Sequence, residues 1–258
     1  MANQYVDLET LKFLLYKVNN LQDVLDQERY AEYDQESVEM MLNSVKDFSD
    51  KELYPYFKEM DEQPAHYKDG EIVVHPQVTK YMKAGGEMGL IAGSFSYEHG
   101  GMQMPAMAAH ASAFIQDAAN NHLPGYIGLT VGSAELIAHF GSQALKDTYL
   151  SNMLSGKWGG TMCLTEPQAG SSLSDITTSA TPDGDTYKIH GQKIFISGGD
   201  YQGAENIVHL VLARIKGAPA GTKGISLFVV PKKKPTANGD LTPNDVTVVA
   251  DFEKMGQR

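Results

Sequence analysis

Two short stretches carry side chains suited to holding a ligand. The first is Met162-Cys163-Leu164-Thr165-Glu166-Pro167-Gln168-Ala169-Gly170-Ser171-Ser172. An apolar run gives way here to small and hydroxyl residues. Backbone can approach a ligand closely at such a loop and offer it N–H and O–H donors. The same composition also suits an ordinary strand-to-loop turn. The second stretch is Phe195-Ile196-Ser197-Gly198-Gly199. If it is a strand, Phe195 and Ser197 share a face. A ring and a hydroxyl so placed can stack on a planar ligand and hydrogen-bond to its edge. A core phenylalanine followed by a strand-end serine has the same pattern.

Other chemistries find less support. Gly85-Gly86-Glu87-Met88-Gly89 is not GxGxxG and follows no strand, which argues against a dinucleotide-binding turn. The eight histidines include no HExxH pair, so no metal site is expected. His209 lies in an apolar run and reads as a satisfied core histidine. Met102, Met104 and Met107 are spaced for helix packing. No GxSxG elbow supports a nucleophilic serine. One cysteine, Cys163, excludes an internal disulfide framework. The 32 acidic and 21 basic side chains give a formal charge of -11. That argues against a general nucleic-acid binder, which needs a basic face to neutralise phosphates. The first residues show no signal-peptide pattern and no run reaches the length of a membrane span, so a cytoplasmic protein is the expectation.

The elements that must position these stretches fall into two blocks. Up to about residue 156 the pattern is helical. Leu8, Leu11, Leu14, Leu15, Val18, Leu21 and Leu25 form one stripe at three- and four-residue spacing. Asp34 is placed to cap a second helix with Val38, Met41, Leu42, Val45, Phe48 and Leu53 inward. Further helices are expected near 76–84, 104–121, 128–140 and 142–155. Gly85-Gly86, Gly100-Gly101, Pro124-Gly125 and Gly141 read as breaks. From Trp158 onward the runs are short and β-like. Residues 186–190 and 193–197 read as a hairpin turned at Gly191-Gln192, and Asp183-Gly184 is another turn signal. Residues 207–212 and 225–230 look like buried strands, the second closed by Pro231, and 246–249 like one more. Lys232-Lys233-Lys234-Pro235 reads as a solvated strand end. Trp158, the sole tryptophan, is placed to anchor the junction. Helices followed by strands argue for an α+β chain of two domains, 1–156 (with a leading helix in 1–30) and 157–258.

Taken together and in order, the two ligand-suited stretches resemble the acyl-CoA dehydrogenase family. The resemblance begins at Phe140-Gly141-Ser142-Gln143 and runs through Lys146, Tyr149-Leu150, Gly156 and Trp158. It peaks at Cys163-Leu164-Thr165-Glu166-Pro167-Gln168-Ala169-Gly170-Ser171 and continues in Gly191-Gln192-Lys193-Ile194-Phe195-Ile196-Ser197-Gly198. Residues 11–18, Glu205-Asn206-Ile207-Val208-His209-Leu210 and Thr222-Lys223-Gly224-Ile225-Ser226 are similar to the longer subgroup that includes 3-methylmercaptopropionyl-CoA dehydrogenases. The first hundred residues match more loosely. The resemblance implies an all-helical N-terminal domain and an antiparallel, barrel-like β-domain. By the same resemblance, the family's C-terminal helical domain is expected to be missing from these 258 residues.

It also implies FAD as cofactor and an acyl-CoA substrate. By resemblance, Leu164 and Thr165 would meet the pyrimidine edge of the flavin, where donors stabilise the charge that develops on reduction. Gly170 and Ser171 would lie along the cofactor phosphates, and Ser171 also along the CoA pantetheine. Phe195 would take the place of the aromatic that stacks on the isoalloxazine. Ser197, with Ile196 beside it, would take the place of the hydroxyl residue near N5. The family usually has aspartate after the Gly-Ser pair; Ser172 stands there, and an acid comes only at Asp175, so the loop is expected to be held by a different hydrogen-bond pattern.

The implied reaction is α,β-dehydrogenation, with a glutamate taking the α-proton and the β-hydrogen leaving as hydride to N5. No acid in the chain matches the motif of that base, which the resemblance places beyond Arg258, so no catalytic residue is assigned. Electron-transfer flavoprotein as acceptor and a homo-oligomeric parent are further implications. Two alternatives stand beside this reading: a non-catalytic module binding CoA-like ligands or a protein partner, and an acyl-CoA oxidase parent. Residues 1–258 purified with added FAD are expected to show no thioester-dependent flavin reduction; measurable turnover contradicts that.

Overall fold

Asp34 does cap a helix. In the computed structural model, which describes residues 5–252 and Lys254, the Asp34 carboxylate accepts from Ser37 N at 2.8 Å. Ser37 Oγ accepts in return from Asp34 N at 2.9 Å. This reciprocal cap starts α3 (Gln35–Phe48), whose Val38, Leu42 and Val45 are buried at helical spacing. The leading stripe is not one helix. It divides into α1 (Leu8–Phe13), a π-helical turn (Leu14–Val18) and α2 (Leu21–Leu25), with Asn20 left-handed between the last two. The wide turn rotates the following side chains. Leu11, Leu15, Leu21 and Leu25 therefore join one buried cluster with Val38, Leu42 and Val45 of α3 and Ala108 and Ile115 further along the chain, while Leu14 and Val18 face outward.

The remaining helices are α4 (Phe57–Glu62), α5 (Gln77–Glu87), α6 (Ala106–Ala119), α7 (Pro124–Phe140) and α8 (Gln143–Leu154). Gly85-Gly86 does not break α5 but lies within it. A Cβ on Gly85 would meet Ile127 Cδ1 at 2.4 Å, and one on Gly86 the Ser155 carbonyl at 2.0 Å. Those glycines let α5 approach α7 and the turn after α8. Pro124-Gly125 opens α7 instead of interrupting a chain, a position where proline's missing N–H costs nothing.

A short hairpin, β1 (His66–Lys68) with β2 (Glu71–Val73), precedes α5. The main sheet holds β3 (Trp158–Cys163), β4 (Ser179–Asp183), β5 (Thr186–His190), β6 (Asn206–Ile215) and β7 (Ile225–Pro231). It is mixed, not wholly antiparallel: β6 runs parallel to β3 and β4 and antiparallel to β7. One edge of β6 takes β7. The opposite edge is used twice, by β3 up to the pair Cys163–Val211 and by β4 from the pair Ser179–Arg214. The sheet does not close into a barrel among the described residues.

The hairpin forms at Asp183-Gly184, between β4 and β5. Residues 193–197 are not its second strand. The turn at Gly191-Gln192 makes no hairpin, because β5 is already paired with β4 and the Lys193 side chain is drawn to Glu166. Residues 246–249 form no strand; Val246 N donates to Asn244 O in a tight turn at 2.9 Å, and Val249 is exposed. Residues 233–235 are a strand, β8 (Lys233–Pro235), paired with β9 (Leu241–Pro243).

The helical and β-rich parts share a core. Gly160 N donates to Thr130 Oγ1 of α7 at 3.0 Å, and Trp158 packs edge-on to Tyr149 of α8 at 6.0 Å between ring centres. Trp158, Ile207, Val208 and Leu210 belong to one apolar cluster with Tyr81, Ile127, Ile137 and Met153.

His209, on β6 within this region, is only half satisfied. Nδ1 lies 2.7 Å from Thr161 Oγ1, while Nε2 has no hydrogen-bond partner among the described residues. Burial lowers its pKa from the ordinary 6.5 to about 4, with Lys232 adding to that and Asp200 opposing it. A histidine whose pKa falls on folding binds protons better when unfolded. Its contribution is therefore complete above the unfolded value and lost as pH falls from 6.5 towards 4. Stability is expected to drop by about 2 kcal/mol between about pH 7 and pH 5, a figure that follows from the proton linkage. Urea titrations of wild type and His209→Gln test this: the variant should lose most of that slope, and an unchanged slope contradicts the assignment.

Candidate active-site wall

The loop 164–178 is an excursion from the sheet. It leaves the β6 edge after Cys163 and returns to it at Ser179, opposite residues only three apart on β6. Its centre is a buried carboxylate. Glu166 Oε1 accepts from Lys193 Nζ at 2.8 Å and from Thr178 N at 3.1 Å. Oε2 accepts from Thr177 N at 2.7 Å, Thr177 Oγ1 at 2.9 Å and Gln168 Nε2 at 2.7 Å. Burial opposes its ionisation, but the Lys193 ammonium and the donors of Thr177 and Thr178 outweigh that and hold the carboxyl far below the usual range. Glu166 N and Ala169 N exchange hydrogen bonds with the opposite carbonyls, which closes the turn.

Lys193 makes a second bond, to the Leu164 carbonyl at 3.0 Å, and Ile194 N donates to the Thr165 carbonyl at 2.9 Å. These contacts fasten the two ligand-suited stretches side by side. Leu164 and Thr165 are half-buried beneath the seam. Phe195, Ile196 and Ser197 follow directly on the other side of it. Phe195 has a positive φ of 56° and an exposed ring; Ser197 is exposed and Ile196 half-buried. A left-handed residue cannot belong to a regular strand, so the strand face expected to carry both Phe195 and Ser197 does not form, and the two stand in an irregular turn. The Phe195 ring lies 5.0 Å from that of Phe252, and Lys254 Nζ donates to Ser197 Oγ at 2.8 Å and to the Phe195 carbonyl.

Gly170 and Ser171 stand exposed at the outer side of the loop, and a Cβ on Gly170 would meet nothing within 4 Å. Among the described residues no hydrogen bond joins them to the 195–197 turn. Beyond Ser172 the loop is held by Arg214, which donates to the Ser174 carbonyl at 3.2 Å, and by Gln168, which donates to Thr177 Oγ1 at 3.0 Å. Ser172 itself makes no side-chain hydrogen bond among the described residues, so these contacts are what hold the loop beyond it.

Sequence patterns alone do not reveal the residues that hold the site: Glu166 as a hub, Lys193, Lys254, and the buried Asp200, which accepts from Lys232 at 2.6 Å. A lysine beside the apolar run Ile194-Phe195-Ile196 is the one available signal, since a half-buried ammonium needs an anion. Among the described residues no group of three or more His, Cys, Asp or Glu could hold a metal, and no helix is long and apolar enough to cross a membrane.

Residues 35–157 match the model of the acyl-CoA dehydrogenase N-terminal domain, and residues 161–258 that of the middle domain. The chain belongs to the acyl-CoA dehydrogenase family. It is 36% identical over 231 residues to the 3-methylmercaptopropionyl-CoA dehydrogenase of Ruegeria pomeroyi, covering 89% of this chain and 39% of that protein. It is 34% identical over 262 residues to a butyryl-CoA dehydrogenase of Syntrophomonas wolfei, covering 98% and 43% respectively. The acyl-CoA dehydrogenase from Geobacillus kaustophilus superposes with a TM-score of 0.64 at 28% identity, over 79% of this chain and 50% of that one. The chain thus spans about two fifths of the length of these curated relatives. Acyl-CoA dehydrogenases are FAD-dependent, and solved members of this fold hold FAD or FADH2.

Removing one partner of a buried ion pair leaves the other uncompensated. Glu166→Gln is therefore expected to cost about 3 kcal/mol of stability. Glu166→Gln combined with Lys193→Met should cost clearly less than the sum of the two single changes. Urea titrations of the four proteins decide it; additive losses contradict a direct pairing.

Proposed function

We propose that this chain forms one wall of the active site of a flavin-dependent oxidoreductase that α,β-dehydrogenates an acyl-CoA thioester. The observation that supports this most is the seam at Lys193–Glu166 and Ile194–Thr165, which brings a donor-rich loop and an exposed aromatic–hydroxyl turn to one surface. The residues fit a flavin: a broad exposed ring at Phe195, an exposed hydroxyl at Ser197, and open space at Gly170. FAD, when bound, would supply the hydride acceptor.

The chain's own residues contribute positioning. Phe195 stacks on the ring system. Leu164 and Thr165 have their carbonyls turned inward to Lys193 and Ile194, so the loop is left with donors to face the pyrimidine edge. Donors there favour the negative charge that reduction adds. Ser197, with Ile196 behind it, offers its hydroxyl near N5, and Gly170 and Ser171 lie along the phosphates, Ser171 also along the CoA chain. The α-proton is taken by a base that we assign to no residue of this chain.

In the same reading the domains are 1–156 and 157–258, the substrate is a fatty acyl-CoA handled in β-oxidation, and electron-transfer flavoprotein collects the electrons. The working enzyme is a cytoplasmic homo-oligomer.

Phe195→Leu in the full-length dehydrogenase is expected to weaken FAD binding about tenfold, the order of one lost aromatic stack. Ser197→Ala should bind FAD nearly as well but slow its reduction by substrate. Isothermal titration and stopped-flow flavin bleaching read the two effects; wild-type values in both variants would overturn the assignment of this face.

A further inference from the structure

The 195–197 turn combines left-handed backbone with exposed side chains, and such a conformation persists only when neighbours fix it. The contacts that fix it come from the far end of the described chain. Phe252 packs its ring at 58° to that of Phe195. Lys254 places two of its three ammonium donors on the same turn, one on the Phe195 carbonyl and one on Ser197 Oγ. Lys254 is half-buried.

A hydroxyl that accepts from an ammonium cannot aim its own proton back along that bond. Its proton must point elsewhere, and the incoming bond strengthens it as a donor. The carbonyl bond acts on the backbone of the same turn and holds Phe195 in its left-handed conformation.

We infer that Lys254 is a positioning residue for Ser197: its ammonium fixes Oγ and the Phe195 carbonyl, and so turns the Ser197 O–H outward as a donor to the ligand on this face. The inference rests on the reading of that ligand as FAD. Lys254 touches Ser197 and Phe195 and acts through them, so its loss should change how well the site holds reduced flavin relative to oxidised flavin.

The test uses the full-length, FAD-loaded enzyme and its flavin reduction potential. A pinned O–H donor suits oxidised flavin, whose N5 accepts, better than reduced flavin, whose N5 carries a proton. Lys254→Met is therefore expected to favour reduced over oxidised flavin about tenfold, an upward shift of ~30 mV for a two-electron couple. Lys254→Arg, which keeps charge and donors, should restore most of it. Made in a Ser197→Ala background, Lys254→Met should shift the potential much less. If the shift is undiminished there, a through-space charge is acting and the positioning role is overturned. If Lys254→Met leaves the potential unchanged while Ser197→Ala moves it, the inference fails and the flavin reading stands. If Ser197→Ala and Phe195→Leu both leave potential and FAD affinity unchanged, the flavin reading itself fails. Should Lys254→Met not retain FAD, Lys254→Gln, which keeps a donor without the charge, should hold the potential near the wild-type value, and a shift of ~30 mV there contradicts the positioning role.

Discussion

A carboxylate with almost no solvent contact must be paid back in hydrogen bonds, and Glu166 is satisfied from two directions at once. Gln168, Thr177 and Thr178 reach it from its own loop, and Lys193 from a segment beyond the β4–β5 hairpin. Neither side alone would neutralise the charge and also close the loop. Because both are needed, the loop after β3 and the turn before β6 are held in one relative position. Every residue proposed to face the flavin lies on one or other of these two segments.

The sheet makes that meeting possible. Its essential feature is that β3 and β4 share one edge of β6. Where β3 departs and β4 arrives, the chain between them has nowhere to go but outward, and 164–178 becomes a loop anchored at both ends. The turn opposite is irregular and depends on lysines. Lys193 ties its start to Glu166, Lys232 ties its end to Asp200, and Lys254 spans its middle. Charged contacts of this kind are directional and suit a segment that has no ladder to hold it.

Local signals in the sequence translate well into structure, and pairings do not. The Asp34 cap, the inward face of α3, the Asp183-Gly184 turn and the strands around 207–212 and 225–230 are all set by neighbours within a few residues, and all are legible. The hairpin expected at Gly191-Gln192 does not form, because periodicity shows that a run could be a strand and not whether an edge is free to receive it. The mixed direction of β6 is hidden for the same reason. Gly85-Gly86 looks like a break because its close approach to Ile127 and Ser155 is a tertiary fact. Thr165 and Phe195–Ser197 are visible as chemistry and by family resemblance. The Glu166–Lys193 pair that unites them is not, since nothing at either position alone names a partner 27 residues away.

Amide hydrogen exchange tests the coupling most directly. In Glu166→Gln, the amides of Thr177, Thr178 and Ile194 should lose protection together, while Val208 and Leu210 on β6 keep theirs. The first two amides donate to the carboxylate itself, and the third donates to the Thr165 carbonyl across the seam. If Ile194 stays as protected as in wild type while Thr177 and Thr178 open, the two segments are held together by something other than Glu166, and the buried carboxylate is not the hub of this wall.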